Sequence, residues 1–179
     1  MKDWNVVVSV PEHTYKQSKK LLAQFGHIAK TNFYNVFVMK VADSHELLSE
    51  LSSLFDKEPQ ARALIGRIVP AQETLTFQTP EEFEEKAQLL VKSWVPQLTG
   101  KGFHVRMHRR GFKGKLASQH EEQFLDHYLM EQLKGEGMSG EITFDDPDAI
   151  VAIETVNQRA GLSLWTRETL RRYPFLKID

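Results

Sequence analysis

The sequence predicts an α+β protein of two small halves that pack against each other. Strand and helix patterns alternate through roughly the first 75 residues, and a second set of such patterns fills the remainder. The composition, with 41% hydrophobic and 26% charged residues, is that of an ordinary globular protein. We expect the halves to comprise residues 1–77 and 78–179, without a flexible linker, because no Gly/Ser-rich stretch separates them.

The N-terminal half has the element order of a ferredoxin-like domain. Short apolar runs rich in Val and Phe are typical of strands, and apolar residues spaced three and four apart are typical of amphipathic helices. Ser44 is the expected N-cap of the second helix. The predicted strands are residues 4–10, 34–41, 63–69 and 73–77, and the predicted helices are residues 15–25 and 44–55.

The C-terminal half begins with a capping box. Thr79 is the expected N-cap, Pro80 fits the first helical position, and Glu82 completes the box. A second capping box, from Ser118 to Glu121, predicts another helix. Two apolar strands, which we expect to pair, follow at residues 149–155 and 162–166.

Residues 103–108 alternate in polarity, which predicts a half-buried strand. Its apolar residues would face the core. His104, Arg106 and His108 would then form a polar, cationic outer face.

Composition excludes several classes of protein. The chain has no cysteine, which excludes disulfides, thiolate zinc sites, iron–sulfur clusters and a cysteine nucleophile. No apolar run reaches the length of about 18 residues that spans a membrane, and the N-terminus lacks the pattern of a secretory signal. We therefore expect a cytoplasmic protein with no membrane partner.

The sequence contains no recognisable catalytic or cofactor motif. It lacks the dinucleotide-binding fingerprint, the P-loop, the nucleophile elbow and the zinc-protease helix. Residues 135–140 are rich in glycine, but they follow a helix, whereas a phosphate-binding loop precedes one. We expect neither an enzyme nor a bound cofactor.

Histidines and acids that could bind metal are poorly spaced for chelation. Along a strand His104 and His108 would lie roughly 13 Å apart, and His120 and His127 lie two helical turns apart. The acids at residues 145–148 could hold Mg²⁺, but Asp-Asp-Pro-Asp is also typical of a turn, which we favour. No metal site is expected.

The net charge of −1 conceals opposed charged segments. Residues 101–115 contain six basic residues and no acid, whereas residues 120–154 contain ten acids and the single base Lys134. Polyanion binding responds to such a local field more than to the total charge. The basic segment therefore predicts binding of RNA or another polyanion.

This segment combines several anion-binding groups. Guanidinium groups bind phosphate in a bidentate manner, ammonium groups release counterions, and a helix N-terminus offers N–H donors. Phe112 could stack on an unpaired base. The alternative is a solvated cationic turn, neutralised by the acidic helix that follows. The candidate RNA-binding residues are Lys101, His104, Arg106, His108, Arg109, Arg110, Phe112, Lys113, Lys115 and Ser118.

The order of these motifs resembles a THUMP domain. Residues 63–74, Ala-Leu-Ile-Gly-Arg-Ile-Val-Pro-Ala-Gln-Glu-Thr, are similar to the segment that enters such a domain, and the helix at 80–94 follows in the expected place. Residues 103–110 resemble its basic strand, and residues 148–157 with 161–164 are similar to its closing strands. A ferredoxin-like half usually precedes the domain, so the resemblance covers nearly the whole chain.

The resemblance implies a role in tRNA modification. THUMP domains bind RNA in thiouridine synthases, methyltransferases and cytidine deaminases, where they hold the tRNA acceptor end. No segment for a catalytic domain follows the closing strands. The layout therefore resembles the stand-alone accessory proteins that present tRNA to a separate cytidine acetyltransferase.

The resemblance also implies roles for single residues. By position, Arg106, Arg109 and Arg110 would contact the RNA backbone. His108 departs from the pattern, because the accessory proteins often have lysine there. Histidine is mostly neutral at pH 7, so we expect an affinity that is weaker or depends on pH.

Two other functions stay open on the sequence alone. The basic face could dock an acidic protein, which would make the chain an interaction scaffold. The chain could also be a small enzyme acting on RNA, with His104 or His108 as a base, although no activating partner for either is visible in the sequence.

Overall fold

The computed structural model describes residues 1–178 and forms two compact units. The first unit comprises residues 1–72 and 172–177. The second comprises residues 73–171 together with Ile178. None of the helices in residues 1–178 is long and apolar enough to cross a membrane.

The first unit is an antiparallel sheet of four strands with two helices. Its strands are β1 (Val6–Ser9), β2 (His27–Lys30), β3 (Val36–Lys40) and β4 (Arg67–Pro70), and its helices are α1 (Tyr15–Leu22) and α2 (Ser44–Lys57). The strand order β2-β3-β1-β4, with every neighbouring pair antiparallel, is ferredoxin-like. The predicted fold of this half is confirmed.

The first unit differs from the sequence predictions at two points. Strand β2 was not predicted, because it is short, lies at the sheet edge and carries no buried residue that would give an apolar run. The N-cap of α2 is Asp43 rather than Ser44. The Asp43 carboxylate accepts hydrogen bonds from the N–H groups of His45 and Glu46, at 2.8 and 3.1 Å.

The C-terminal segment packs within the first unit. The backbone N–H of Ile68 donates to the carbonyl of Phe175 at 3.3 Å, and the Phe175 ring meets Phe55 edge-on at 5.2 Å. The sequence division had grouped residues 172–177 with the second half. Contacts between residues so far apart in sequence leave no local pattern that a reading of the sequence could use.

The second unit is built on a mixed sheet of five strands. Its order is β5-β9-β8-β6-β7, in which β8–β6 and β6–β7 are parallel and the other pairs antiparallel. Strand β5 had been grouped with the N-terminal half, but it pairs with β9. The strands are β5 (Glu73–Thr76), β6 (Gly102–His108), β7 (Glu141–Ile142), β8 (Ala149–Val156) and β9 (Arg159–Thr166).

Helices precede and follow β6. They are α3 (Pro80–Val91), α4 (Val95–Leu98), α5 (Ser118–Gly135) and α6 (Arg167–Arg172). Helices α3 and α5 contribute apolar side chains to the core against which the inner strands β8 and β9 are buried.

The first predicted capping box is present in a modified form, in which Glu82 bonds the residue before the N-cap rather than the N-cap itself. Thr79 accepts from the Glu82 N–H at 3.1 Å, and the Glu82 carboxylate accepts from the Gln78 N–H at 2.7 Å. The second prediction was wrong. The N-cap of α5 is Ala117, Ser118 is the first helical residue, and Glu121 is buried instead of reaching back to the helix start.

Candidate nucleic-acid interface

Residues 109–117, here called the basic loop, connect β6 to α5. Two consecutive residues in the loop have left-handed backbone conformations, Gly111 with φ 98° and Phe112 with φ 54°. A Cβ at position 111 would lie 3.0 Å from the Cα of Asn157. Glycine is therefore required there both by the backbone conformation and by the close approach of the β8–β9 turn.

Backbone hydrogen bonds fasten the basic loop to the end of β8. The Arg110 N–H donates to the Thr155 hydroxyl at 2.9 Å, and the Asn157 N–H donates to the Arg110 carbonyl at 2.8 Å. Beyond this anchor, Leu116 is buried and ties the far end of the loop to the core. The loop is thus fixed at both ends.

A buried carboxylate lies beneath the loop. Glu154 is 2% exposed, and its carboxylate contacts the Arg110 guanidinium at 2.6 Å and the His108 imidazole at 3.4 Å. The Arg110 side chain is itself 16% exposed. Because an isolated buried charge is costly, this ion pair orients Arg110 inward and stabilises the loop.

The remaining cations lie at the surface. Lys113 and Lys115 are exposed, Arg109 is half-buried with its guanidinium donating to the Gly111 carbonyl, and the Arg106 side chain is 43% exposed, 4.0 Å from Glu122. All of them belong to the loop or to the end of β6 that leads into it. We name this set the basic surface: Arg106, His108, Arg109, Lys113 and Lys115.

Five predicted residues are outside this surface: Arg110, which is directed inward to Glu154, Phe112 and Ser118, described below, and Lys101 and His104. Lys101 precedes β6, so the strand's own length separates it from the basic loop by roughly 23 Å. His104 is 2% exposed, with its Nδ1 2.9 Å from the Thr143 carbonyl and its ring 5.1 Å from that of Phe144. The prediction that His104 faces outward was wrong, because the chain around residues 143–144 covers this part of the strand.

Phe112 and Ser118 also differ from expectation. The Phe112 ring is half-buried and packs against Phe77 with centroids 5.0 Å apart, so one of its sides belongs to the core rather than to a ligand. Ser118 makes no capping hydrogen bond, and neither does the N-cap Ala117. The helix nevertheless begins directly after the loop, so its first N–H groups lie beside the basic residues.

Carboxylates of α5 complete the outer edge of β6. Strand β7 pairs only with Gly102 and Phe103. Further along, the Val105 N–H donates to Asp126 at 2.8 Å and the Met107 N–H donates to Glu122 at 2.7 Å. These side chains replace the carbonyl groups of a missing strand.

Burial raises the pKa of Asp126 to about 6. The hydrogen bond from Val105 and the positive charge that His104 can carry act in the opposite direction but do not cancel this effect. Ionisation of Asp126 near neutral pH therefore lowers the stability of the folded protein, since the folded protein holds this proton more tightly than the unfolded chain does.

Sequence reasoning missed Glu154 and Asp126 as determinants of the site. Glu154 offered a signal, because it is the one charged residue in the otherwise uncharged run at 149–156. Asp126 offered a weaker signal, as a polar residue beside the apolar stripe of α5. The sequence gives neither residue's partner.

One group among residues 1–178 has the donor set of a metal site. Glu84 on α3 and His120 and Glu121 on α5 each offer a ligand atom, and these atoms lie within 4.8 Å of one another. Burial and the neighbouring charge of Glu84 raise the pKa of Glu121. No residue of the basic surface takes part in this group.

Comparison with known proteins identifies the fold. No protein-family model and no curated protein matches the chain. Among solved structures, PH1313 from Pyrococcus horikoshii Ot3 aligns with 92% of this chain at a TM-score of 0.61 and 14% identity. A 4-thiouridine synthetase in complex with RNA and ATP aligns with 91% of this chain at a TM-score of 0.56 and 13% identity. TrmN from Thermus thermophilus aligns with 90% at a TM-score of 0.55 and 16% identity.

These similarities confirm the predicted fold class and support a THUMP-like fold. At such low identity they show the fold alone. The chain spans only 55%, 41% and 44% of the lengths of these three proteins respectively. Their activities are therefore not carried over to this chain.

Replacing Arg110 by alanine should destabilise the second unit by about 3 kcal/mol, because it leaves the Glu154 carboxylate buried without its guanidinium partner. Urea unfolding measures this change. In the Glu154→Gln background the same replacement should cost much less, since no buried charge is then left behind. Equal costs in both backgrounds would show that the ion pair does not hold the loop.

Replacing Asp126 by asparagine should make the protein more stable than the parent at pH 8, and this advantage should be smaller at pH 4. The amide oxygen still accepts from Val105, but the variant has no carboxylate to ionise. In the parent protein the raised pKa lowers stability as pH rises from about 4 to 6, by up to roughly 3 kcal/mol. Urea unfolding across pH 4–8 tests this, and a stability difference between variant and parent that does not vary with pH would contradict it.

Proposed function

We propose that this chain is a non-catalytic tRNA-binding adaptor, which holds the acceptor end of a tRNA and presents it to a separate modifying enzyme. The observation that carries the proposal is the basic surface. These cations lie at the end of β6 and on the basic loop. Arg110 fixes this loop to β8 through its contacts with Glu154 and Thr155, and α5 begins directly after it.

The arrangement suits phosphate binding. Lys113 and Lys115 extend into solvent from a loop with fixed ends, so binding them to phosphates requires little ordering of the backbone. The N–H groups at the start of α5 add donors and a favourable dipole. Arg110 contributes indirectly, because its ion pair with Glu154 fixes the loop that carries the two lysines.

The structural neighbours support an RNA partner for a fold of this kind. The 4-thiouridine synthetase that shares the fold was solved in complex with RNA. This chain aligns with 41% of that protein, and the shared fold carries no statement about its activity. RNA binding without catalysis is the part of its behaviour that we propose for this chain.

The adaptor role rests on the resemblance to the accessory proteins of tRNA cytidine acetylation. In such a system one protein grips the tRNA by its phosphates near the unpaired end, and a partner modifies a base elsewhere. The partner that we propose is accordingly a cytidine acetyltransferase. The scaffold function described above is the competing proposal.

Binding of a full-length tRNA should be tighter than binding of the same tRNA without its single-stranded 3′ end. Fluorescence anisotropy with end-labelled tRNA measures both affinities. Equal, salt-sensitive affinities would reject acceptor-end capture and leave a general basic surface. Absence of binding to either RNA would favour the scaffold, and bulk tRNA would then fail to compete with an acidic protein partner.

Replacing Lys113 or Lys115 by glutamine should weaken binding of different tRNAs to a similar extent. Each replacement should also reduce the slope of log affinity against log salt by about 1, because one phosphate contact is lost. Lys134→Gln, at an exposed position near the other end of α5, is the matched control and should leave the slope unchanged. Unchanged slopes for both loop variants would place the phosphate contacts elsewhere.

A further inference from the structure

We propose that Glu84, His120 and Glu121 form a binding site for a divalent transition-metal ion of the zinc type. The site joins α3 to α5 within the second unit. It is independent of the proposed RNA binding, since none of its residues belongs to the basic surface.

The spacing of the donor atoms fits a single ion. The Glu84 Oε1 lies 3.2 Å from the His120 Nε2, and a carboxylate oxygen of Glu121 lies within 4.8 Å of both. Two ligands that are each about 2.1 Å from a tetrahedral zinc ion are separated by roughly 3.3 Å. The Glu84–His120 pair already has this separation, and the Glu121 donor lies within the 4.8 Å that the group spans.

The buried member of the group points to a missing partner. Glu121 is 1% exposed, and its Oε2 accepts no hydrogen bond from a donor group among residues 1–178, so without a cation it can pair with the neighbouring Glu84 only by sharing a proton. Buried carboxylate oxygens are normally paired, because leaving one unsatisfied is costly. The other two members of the group are a carboxylate and an imidazole. All three side chains can coordinate one cation.

The surrounding charge also favours a cation. Two carboxylates converge here, and Glu81 lies one turn before Glu84 on the same helix. The only basic group in the cluster is His120, whose ring stacks on Phe124 one turn further along α5. A bound divalent ion would neutralise both carboxylates.

The donor types select the kind of metal. An imidazole together with two carboxylates suits zinc, whereas magnesium prefers oxygen donors alone. Three protein ligands leave one position of a tetrahedral ion to water. The group is accessible to solvent through His120, whose side chain is 67% exposed.

The site differs from the metal arrangements weighed in the sequence. Those were two histidine pairs, each along one strand or one helix and too far apart, and the acids at residues 145–148, which favour a turn. Here the third ligand comes from α3, 36 residues before His120. Only packing of the two helices brings these side chains together.

The test is titration of Zn²⁺ into the full chain, first stripped with a chelator, by isothermal calorimetry at pH 7.5. We expect one ion per chain. His120→Ala should weaken its binding at least tenfold, and Glu84→Gln should weaken it as well. His127→Ala, an exposed histidine on the same helix, is the matched control and should bind as the parent does.

Two further measurements separate the site from adventitious binding. Co²⁺ should give visible absorption bands in the parent and His127→Ala proteins but not in His120→Ala. Zn²⁺ should raise the melting temperature of the first two proteins only, because binding to the folded state stabilises it. Lack of zinc binding, or binding that His120→Ala leaves unchanged, would overturn the proposal, and Glu84 and Glu121 would then share a proton instead.

Discussion

The proposed interface depends on one buried carboxylate. Glu154 lies inside β8, where it contacts both Arg110 and His108. This contact divides the cations of the basic segment into two groups. Arg110 forms the inward group and holds the loop. The basic surface forms the other group, led by Lys113 and Lys115, and His108 belongs to it because its side chain stays 34% exposed. A segment that is uniformly basic in sequence therefore has an internal anchor and an external binding surface.

The acidic helix α5 has a structural role beyond neutralising the basic loop. Glu122 and Asp126 accept hydrogen bonds from backbone N–H groups of β6 that no strand covers. They attach the strand that leads into the loop to the helix that leaves it. Two of the acids that follow the basic segment in sequence therefore hold its supporting strand in position.

A large part of the fold could be predicted from sequence periodicity and turn residues. The ferredoxin-like half, the helix that begins at Pro80, the strand predicted at 103–108 and the closing strands were all predicted, because each leaves a local pattern. The short edge strand β2 and the return of residues 172–177 to the first unit were not. Both depend on contacts with distant residues. Strand β2 carries no buried residue, and although Tyr173, Phe175 and Leu176 are buried, their sequence does not show which unit they pack in.

The site was predicted as a segment but not as an arrangement of side chains. Alternating polarity placed His104 on the outside, yet residues 143–144 cover it, and Phe112 packs on Phe77 rather than standing clear of the core. The sequence by itself determined the fold class, the position of the basic loop and its neighbouring elements, since these follow from local composition and period. Only the tertiary structure decided which charges are exposed, because burial and ion pairing join residues far apart in the chain, as they join Arg110 to Glu154 and Glu84 to His120.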